Sequence, residues 1–376
     1  MILRFLAAAS LAFAGASPER LARIGPRMKT LVEHGKAAGI VTLVQHQGKV
    51  VHLDAQGYLK LEDKTPMKTD TIFEVMSMTK PVTSTAIMML AEEGKLALTD
   101  PVERHLPEYR GQWVIEGGKY VKPERAIAIR DLLTHSSGLA EYPPEGMGGI
   151  RFYSNMSRSL AEAVTIYSQM PLLFQPGTKF QYSNPGIATL GRIIEVLSGQ
   201  PYEEYLETQI FKPLGMKDSF LFPASSEHAR IANVYQPVDG KLVNLGPGIY
   251  RKGARYSFPE GGMYSTASDM AAFYQCFLNG GKPLLSGTGH DTMLAIHSGD
   301  TLRSAGSGWG LGWSVTQSND GLLDLRSTGS YGHAGAFGTF GWVDPKRSLV
   351  GVFMIQGGAA AEARNAFVEM TNAAID

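Results

Sequence analysis

The sequence has one cysteine, Cys276, in 376 residues. That excludes an intramolecular disulfide and any metal site built on several thiolates. Cys276 sits in the apolar run AAFYQCFL, which is the setting of a buried small side chain rather than a reactive thiol. An excess of either charge is also missing, with 35 Lys and Arg against 35 Asp and Glu. Without a basic footprint, no nucleic acid and no anionic membrane surface is expected as a partner; a small molecule is. No apolar run approaches the roughly 20 residues that span a bilayer, so no stable membrane insertion is expected. G-x-S-x-G, H-E-x-x-H, the Walker A run and G-x-G-x-x-G are all absent. That argues against an α/β-hydrolase, a zincin, a P-loop NTPase and a dinucleotide-binding enzyme. No metal or organic cofactor is expected.

What is present is enough apolar sequence, 44%, for one large domain or two intimate ones. The first residues carry Arg4, an apolar run from Phe5 to Ala14, and Ala14-Gly15-Ala16. This pattern reads as a secretory signal over residues 1–16, and hence as a periplasmic or secreted protein, with a cytoplasmic one as the alternative. From Pro18 to Lys36, Leu21, Ile24, Met28, Leu31 and Val32 recur at helical spacing. Ile40–Gln45 and Lys49–Tyr58 read as a hairpin. A helix begins near Ser77 and ends at Gly94. Short helical pieces punctuated by Pro and Gly follow, at Ile129–Thr134, Leu160–Gln169 and Gly186–Ser198. Thr266 and Asp269 resemble a capping-box pair. Strands are expected at Gly310–Gln317, Ala336–Val343 and Leu349–Gln356, then a helix from Ala359 to Ile375. The fold class is therefore α+β: an antiparallel sheet flanked by terminal helices, with a helical insertion. The boundaries fall at residues 17–100 with 256–376 for the α/β part, and at 101–255 for the helical part.

Three stretches carry chemistry. Ser77-Met78-Thr79-Lys80 puts a hydroxyl and an amine on one face of a helix, about 5–6 Å apart at Cβ. Serine is a weak nucleophile without a neighbouring base, and lysine supplies one when burial or a second cation lowers its pKa. Tyr182-Ser183-Asn184 offers a phenol able to shuttle a proton, and an amide able to donate and accept. His333-Ala334-Gly335, directly before the strand expected at Ala336, brings glycine-rich backbone that can approach a ligand and present an N–H. A second Y-S-N, Tyr153-Ser154-Asn155, lacks the flanking Pro-Gly turns and is set aside. His135 reads as a turn-holding residue. Trp309 and Trp313 read as core.

With IRDLLTHSSGL (129–139), QPGTKFQYSNPG (175–186), EGGMYSTASDMAAF (260–273), GWGLGW (308–313) and GHAGAFGTFGWVDP (332–345), the chain resembles the serine β-lactamase and penicillin-binding-protein superfamily. The resemblance is on the class C side and runs from about Ile24 to the C-terminal helix. It implies the β-lactamase/transpeptidase-like fold, with an all-α insertion. It also implies Ser77 as nucleophile, Lys80 as its base partner, and Tyr182 as proton shuttle. Asn184 would orient substrate and bond Lys80. The backbone N–H groups of Ser77 and Ala336 would form the oxyanion hole. His333 and Gly335 would line the substrate.

One departure bears on substrate. The third motif of β-lactamases and peptidoglycan peptidases is Lys-Thr-Gly or close to it, and it grips a carboxylate. His333-Ala334-Gly335 has no hydroxyl, and an ordinary histidine is mostly neutral at pH 7. Class C-like esterases of the superfamily carry such altered motifs. The expectation is a serine carboxylesterase acting on short-chain esters through an acyl-Ser77 intermediate, with weak turnover of β-lactams such as cephalosporins. The alternatives are a class C-type β-lactamase or D-amino-acid-specific carboxypeptidase or amidase, and a catalytically silent penicillin-binding module.

Overall fold

A computed structural model of the chain describes residues 15–141, 156–247, 253–298, 306–318 and 325–376. Tyr153-Ser154-Asn155 lie outside these residues, as does residues 1–14 of the expected signal segment.

The framework is an eight-stranded antiparallel sheet. Its strands are β1 (Gly39–His46), β2 (Lys49–Lys60), β3 (Thr65–Pro66), β4 (Ser307–Trp309), β5 (Ser314–Thr316), β6 (Tyr331–Ala334), β7 (Phe340–Asp344) and β8 (Leu349–Ile355). They lie in the order β4-β5-β6-β7-β8-β1-β2-β3. The first and last parts of the chain thus meet at mid-sheet, where β1 pairs with β8 from Ile40↔Ile355 to His46↔Leu349. β1 and β2 turn through Gln47 (φ 51°) and Gly48 (φ 74°), the doubly left-handed turn that matches strand twist.

Side chains alternate across this sheet with the period of two that a strand dictates. Ile40, Val44, Leu349, Phe353 and Ile355 pack under the terminal helices α1 (Ile24–Glu33) and α5 (Ala360–Ala374). Val41, Leu43, Val350, Val352 and Met354 join the core that holds α2 (Thr79–Glu92) and α4 (Ala267–Leu278). Both faces are covered, so every residue of β8 is buried. Among the described residues of 101–255 helix exceeds strand, and α3 (Asn184–Ser198) is the longest helix. They also hold two hairpins, Val114–Glu116 with Lys119–Val121 and Val234–Val238 with Lys241–Gly246.

Four local expectations change. The strand expected at Gly310–Gln317 is β5 alone, Ser314–Thr316, and Gly310 to Trp313 form the turn that joins it to β4, closed by the Gly310 N–H on the Trp313 carbonyl at 2.9 Å. The helix expected over Pro18–Lys36 is two, Pro18–Leu21 and α1. Pro26 lacks the N–H for a bond to Ala22 and its ring crowds that carbonyl, so the helix restarts. Thr266 caps α4 by accepting from the Asp269 N–H, but the Asp269 carboxylate turns away to the Asp218 N–H and the Ser219 hydroxyl, so no capping box closes. The strand expected to open at Ala336 opens at Phe340, and β6 precedes it. Gly335 to Thr339 form the connecting turn, closed by the Gly335 N–H on the Thr339 carbonyl at 2.7 Å and by Gly338 at φ 98°.

Candidate active site

From Thr71 to Met88 every residue is buried except Ser77. It lies in the 3-10 turn Met76–Met78 that feeds α2, just after Met76, whose φ of 49° is a strained conformation for a side chain with a Cβ. The turn is held on several sides. Thr79 Oγ1 donates to the Met76 carbonyl at 2.7 Å, and the Val75 N–H donates to the Met263 carbonyl at 3.0 Å. Thr339 Oγ1, from the β6–β7 turn, donates to the Val75 carbonyl at 3.1 Å. A Cβ on Gly335 would lie 2.4 Å from that same carbonyl oxygen, so only glycine lets the two segments touch. The exposed Ala336 follows directly on this docked turn.

Lys80 is completely buried, at 0% exposure. Its ammonium donates to Ser77 Oγ at 2.9 Å and to the Glu260 main-chain carbonyl at 2.6 Å, and stands 4.8 Å from the centre of the Tyr182 ring. Among the described residues it makes no ion pair with a carboxylate. The i, i+3 spacing of Ser77 and Lys80 therefore becomes a direct hydrogen bond between a partly exposed hydroxyl and a buried amine.

Tyr182 is positioned by His135. The Gln181 N–H donates to the His135 carbonyl at 2.8 Å, and the Ser183 N–H donates to His135 Nδ1 at 3.1 Å. The two rings lie 4.4 Å apart, and Trp309 stands against both. Accepting at Nδ1 places the proton of the neutral His135 imidazole on Nε2. Ser183 then caps α3 by accepting from the Gly186 N–H at 3.2 Å, with Pro185 in the first turn.

His333 is buried at the end of β6, 6.3 Å from the Tyr182 ring and 5.5 Å from Trp309. Its Nδ1 lies 2.7 Å from the Ala334 carbonyl, an acceptor, so Nδ1 carries a proton. The hydrogen bond expected between Asn184 and Lys80 is not made. Both the Asn184 backbone N–H (2.7 Å) and Nδ2 (2.6 Å) donate to the Glu141 carboxylate, a charged acceptor that fixes the amide, while Lys80 donates to Ser77 Oγ and the Glu260 carbonyl instead. Asn184 Oδ1 is buried without a hydrogen-bond partner among the described residues.

Two carboxylates here escaped sequence reasoning. Glu141 belongs to no motif, and Glu260 enters only as the first residue of the stretch 260–273 that carries the resemblance. A lone acid in the otherwise apolar SFPEGGMY was the available signal for Glu260. Its carboxyl is 1% exposed, and burial pushes its pKa up to about 8. The Tyr256 hydroxyl, which donates to Oε1 at 2.7 Å, and the Lys80 ammonium both act in the opposite direction. Trp309 and Trp313 are both fully buried, and Trp309 also walls the Tyr182 side of the site. Cys276 is buried, which pushes its thiol pKa up to about 11. Among the described residues no cluster of three His, Cys, Asp or Glu side chains forms a metal site, and no helix is long and apolar enough to cross a membrane.

A family model for Beta-lactamase matches residues 26–373. Esterase EstB of Burkholderia gladioli is 30% identical over 344 residues, covering 84% of this chain and 83% of EstB. N-acetylmuramyl-L-alanine amidase of Bacillus subtilis is 29% identical over 361 residues, covering 86% and 78%. The solved structure of EstCE1, a hydrolase with promiscuous acyltransferase activity, superposes with a TM-score of 0.85 at 23% identity, covering 94% of this chain and 99% of EstCE1, and so shares the fold. With these matches spanning nearly the whole length, the chain belongs to the Beta-lactamase family and is a serine hydrolase of the β-lactamase fold.

Proposed function

We propose that the protein is a carboxylesterase that cleaves short-chain esters through an acyl-Ser77 intermediate. The observation that carries the reading is the 2.9 Å contact between Ser77 Oγ and a fully buried Lys80. Ser77 Oγ attacks the ester carbonyl carbon while its proton passes to Lys80 and Tyr182, which act as one coupled unit. The N–H groups of Ser77 and Ala336 take the developing oxyanion. Collapse breaks the C–O bond, and the leaving alkoxide receives the proton back. Water then enters, loses its proton to the same unit, and releases the acid and Ser77.

The preference for esters over β-lactams rests on the third motif. His333 commits Nδ1–H to the Ala334 carbonyl, and Ala334 has no hydroxyl, so the strand lacks the fixed cation and donor that would grip a substrate carboxylate. EstB, an esterase by name, supports this reading. In the same reading residues 17–100 with 256–376 form one domain and 101–255 the other. Ser77, Lys80, Glu260 and His333 come from the first, Tyr182 and Asn184 from the second, and the mature enzyme is exported.

A second reading, an amide or β-lactam hydrolase, draws on Asn184. Its unpartnered Oδ1 is the acceptor that a substrate amide N–H requires, and the Bacillus amidase is a relative of comparable similarity. Initial rates on p-nitrophenyl butyrate and on nitrocefin, for wild type and Ser77→Ala, separate the two. Serine-dependent ester cleavage with slow nitrocefin turnover supports the esterase. Fast nitrocefin turnover with poor ester cleavage makes the protein a β-lactamase despite His333-Ala334-Gly335.

A further inference from the structure

The hairpin of Val114–Glu116 with Lys119–Val121 is docked on residues 168–172 by its backbone. The Leu172 N–H donates to the Trp113 carbonyl at 2.7 Å, and the Ile115 N–H donates to the Leu172 carbonyl at 2.9 Å. Where these segments meet lies a groove of about 430 Å³, with Glu108, Arg110, Gln112, Trp113 and Tyr120 in its lining. That volume falls within roughly the 300–1,000 Å³ of small-ligand sites. None of these residues takes part in the Ser77 site.

Two features mark the groove as built for a ligand. The first is aromatic. Trp113 is 47% exposed and Tyr120 61%, whereas Trp309, Trp313 and Trp342 are all at 0%. Trp113 is nonetheless held in place. Lys122 Nζ lies 3.6 Å from the centre of its ring and donates to the Gly111 carbonyl at 3.0 Å. Lys122 lines a neighbouring cavity of about 270 Å³ rather than the groove, so the ammonium covers one face of the indole and leaves the other to the groove. The second feature is an orphan acceptor. Gln112, at 9% exposure, lines both the groove and that cavity. Its Nε2 donates to the Ser168 carbonyl at 2.9 Å, which fixes the amide, and its Oε1 is buried with no partner among the described residues. Such an oxygen is destabilising until something donates to it.

The chemistry of the lining selects among ligands. Glu108 repels an anion and Arg110 repels a cation. A purely apolar ligand leaves Gln112 Oε1 without a donor. A neutral polyhydroxyl ring meets all of these demands. Its C–H face, polarised by the attached oxygens, packs on the electron-rich faces of the indole and the phenol. Its hydroxyls donate to Gln112 and Glu108 and accept from Arg110. We infer that the groove is a binding site for a neutral saccharide chain, separate from the Ser77 site.

The test titrates the full-length protein with chitotetraose, cellotetraose and maltotetraose, up to about 10 mM because an open groove with few polar contacts binds weakly. Since the other three tryptophans are buried, quenching of tryptophan fluorescence by iodide reports on Trp113. At least one of the sugars is expected to protect Trp113 from iodide saturably, with the same Kd by calorimetry. Tyr120→Ala alters an exposed side chain and is expected to leave the fold intact while weakening binding at least about tenfold. Trp113→Ala, followed by calorimetry, is expected to lose as much or more. Turnover of p-nitrophenyl butyrate is expected to stay unchanged in both variants. No saturable binding of any of the three sugars, or binding equally tight in both variants, overturns the inference. So does ester turnover that falls in step with sugar affinity, which places the sugar at Ser77 instead.

Discussion

At the scale of single residues, the account turns on a serine, a lysine and the groups that fix their protons. General-base assistance contributes roughly 10²–10⁴-fold. Lys80→Ala is therefore expected to lower kcat/KM on p-nitrophenyl butyrate by that factor at unchanged fold, checked by steady-state kinetics beside circular dichroism. Glu260 makes a separate prediction about stability. In the unfolded chain its carboxyl ionises near its ordinary value of 4.5, whereas in the fold it keeps its proton up to about 8. Between those limits folding takes up a proton, so stability falls as pH rises through the window, by several kcal/mol in order of magnitude. Glu260→Gln is expected to remove that slope, as measured by urea unfolding at the two ends of the window. His135 acts on Tyr182 through two backbone N–H groups, and it does so from a left-handed backbone at φ 55°. His135→Ala is expected to lower kcat more than it raises KM, because the group it frees handles protons rather than holding substrate. Ser77, Lys80 and Tyr182 were legible because motif spacing translates directly into distance on a helix or beside its cap. The Glu141–Asn184 pair was not, since 43 residues separate its members and no local pattern announces the contact.

At the scale of elements, the active site depends on one turn docking against another. The β6–β7 turn touches the Ser77 turn through Gly335, Thr339 and the Val75 carbonyl, which fixes where the Ala336 N–H stands relative to the nucleophile. Gly335→Ala puts a methyl 2.1 Å from Thr339 Oγ1 and 2.4 Å from the Val75 oxygen. The turn must retreat, at a cost of about 1–3 kcal/mol in stability. Ester turnover is expected to fall at least tenfold, read by kcat beside differential scanning fluorimetry. The hairpin of β1 and β2, α2 with its Gly94 stop, and α3 could be read from alternation, capping and 3.6-residue spacing. β6 could not. Tyr331-Gly332-His333-Ala334 shows no strong alternation, and it is held in the sheet by pairing with Trp342 and Gly341 rather than by its own propensity. The split of the first helix at Pro26 was visible in principle, since the proline stands in the sequence, but the amphipathic spacing on both sides masked it.

At the scale of the whole molecule, the central pairing of β1 with β8 joins chain ends more than 300 residues apart in sequence. The terminal helices seal the face of the sheet away from Ser77. Their packing is built around Phe367, which meets Trp342 edge-on at 5.6 Å and lies against Phe353 at 5.8 Å. Phe367→Ala is expected to cost about 3–5 kcal/mol in unfolding free energy, measured by denaturant titration, with kcat/KM unchanged at temperatures where the protein remains folded. Strands at both ends of the chain around a helical middle were enough to anticipate this arrangement, because an antiparallel sheet can recruit strands from distant parts of a chain. The two hairpins within residues 101–255 went unread, as Gly- and Pro-rich punctuation there suggested only helices and loops. The central claim, a serine made nucleophilic by a buried lysine, is tested most directly by trapping the intermediate. Enzyme turning over p-nitrophenyl butyrate is quenched in acid, digested, and its peptides are weighed. The expected result is a butyryl group on the peptide bearing Ser77, lost in Ser77→Ala and much diminished in Lys80→Ala. A butyryl group on any other residue, or ester cleavage undiminished in Ser77→Ala, would contradict the account.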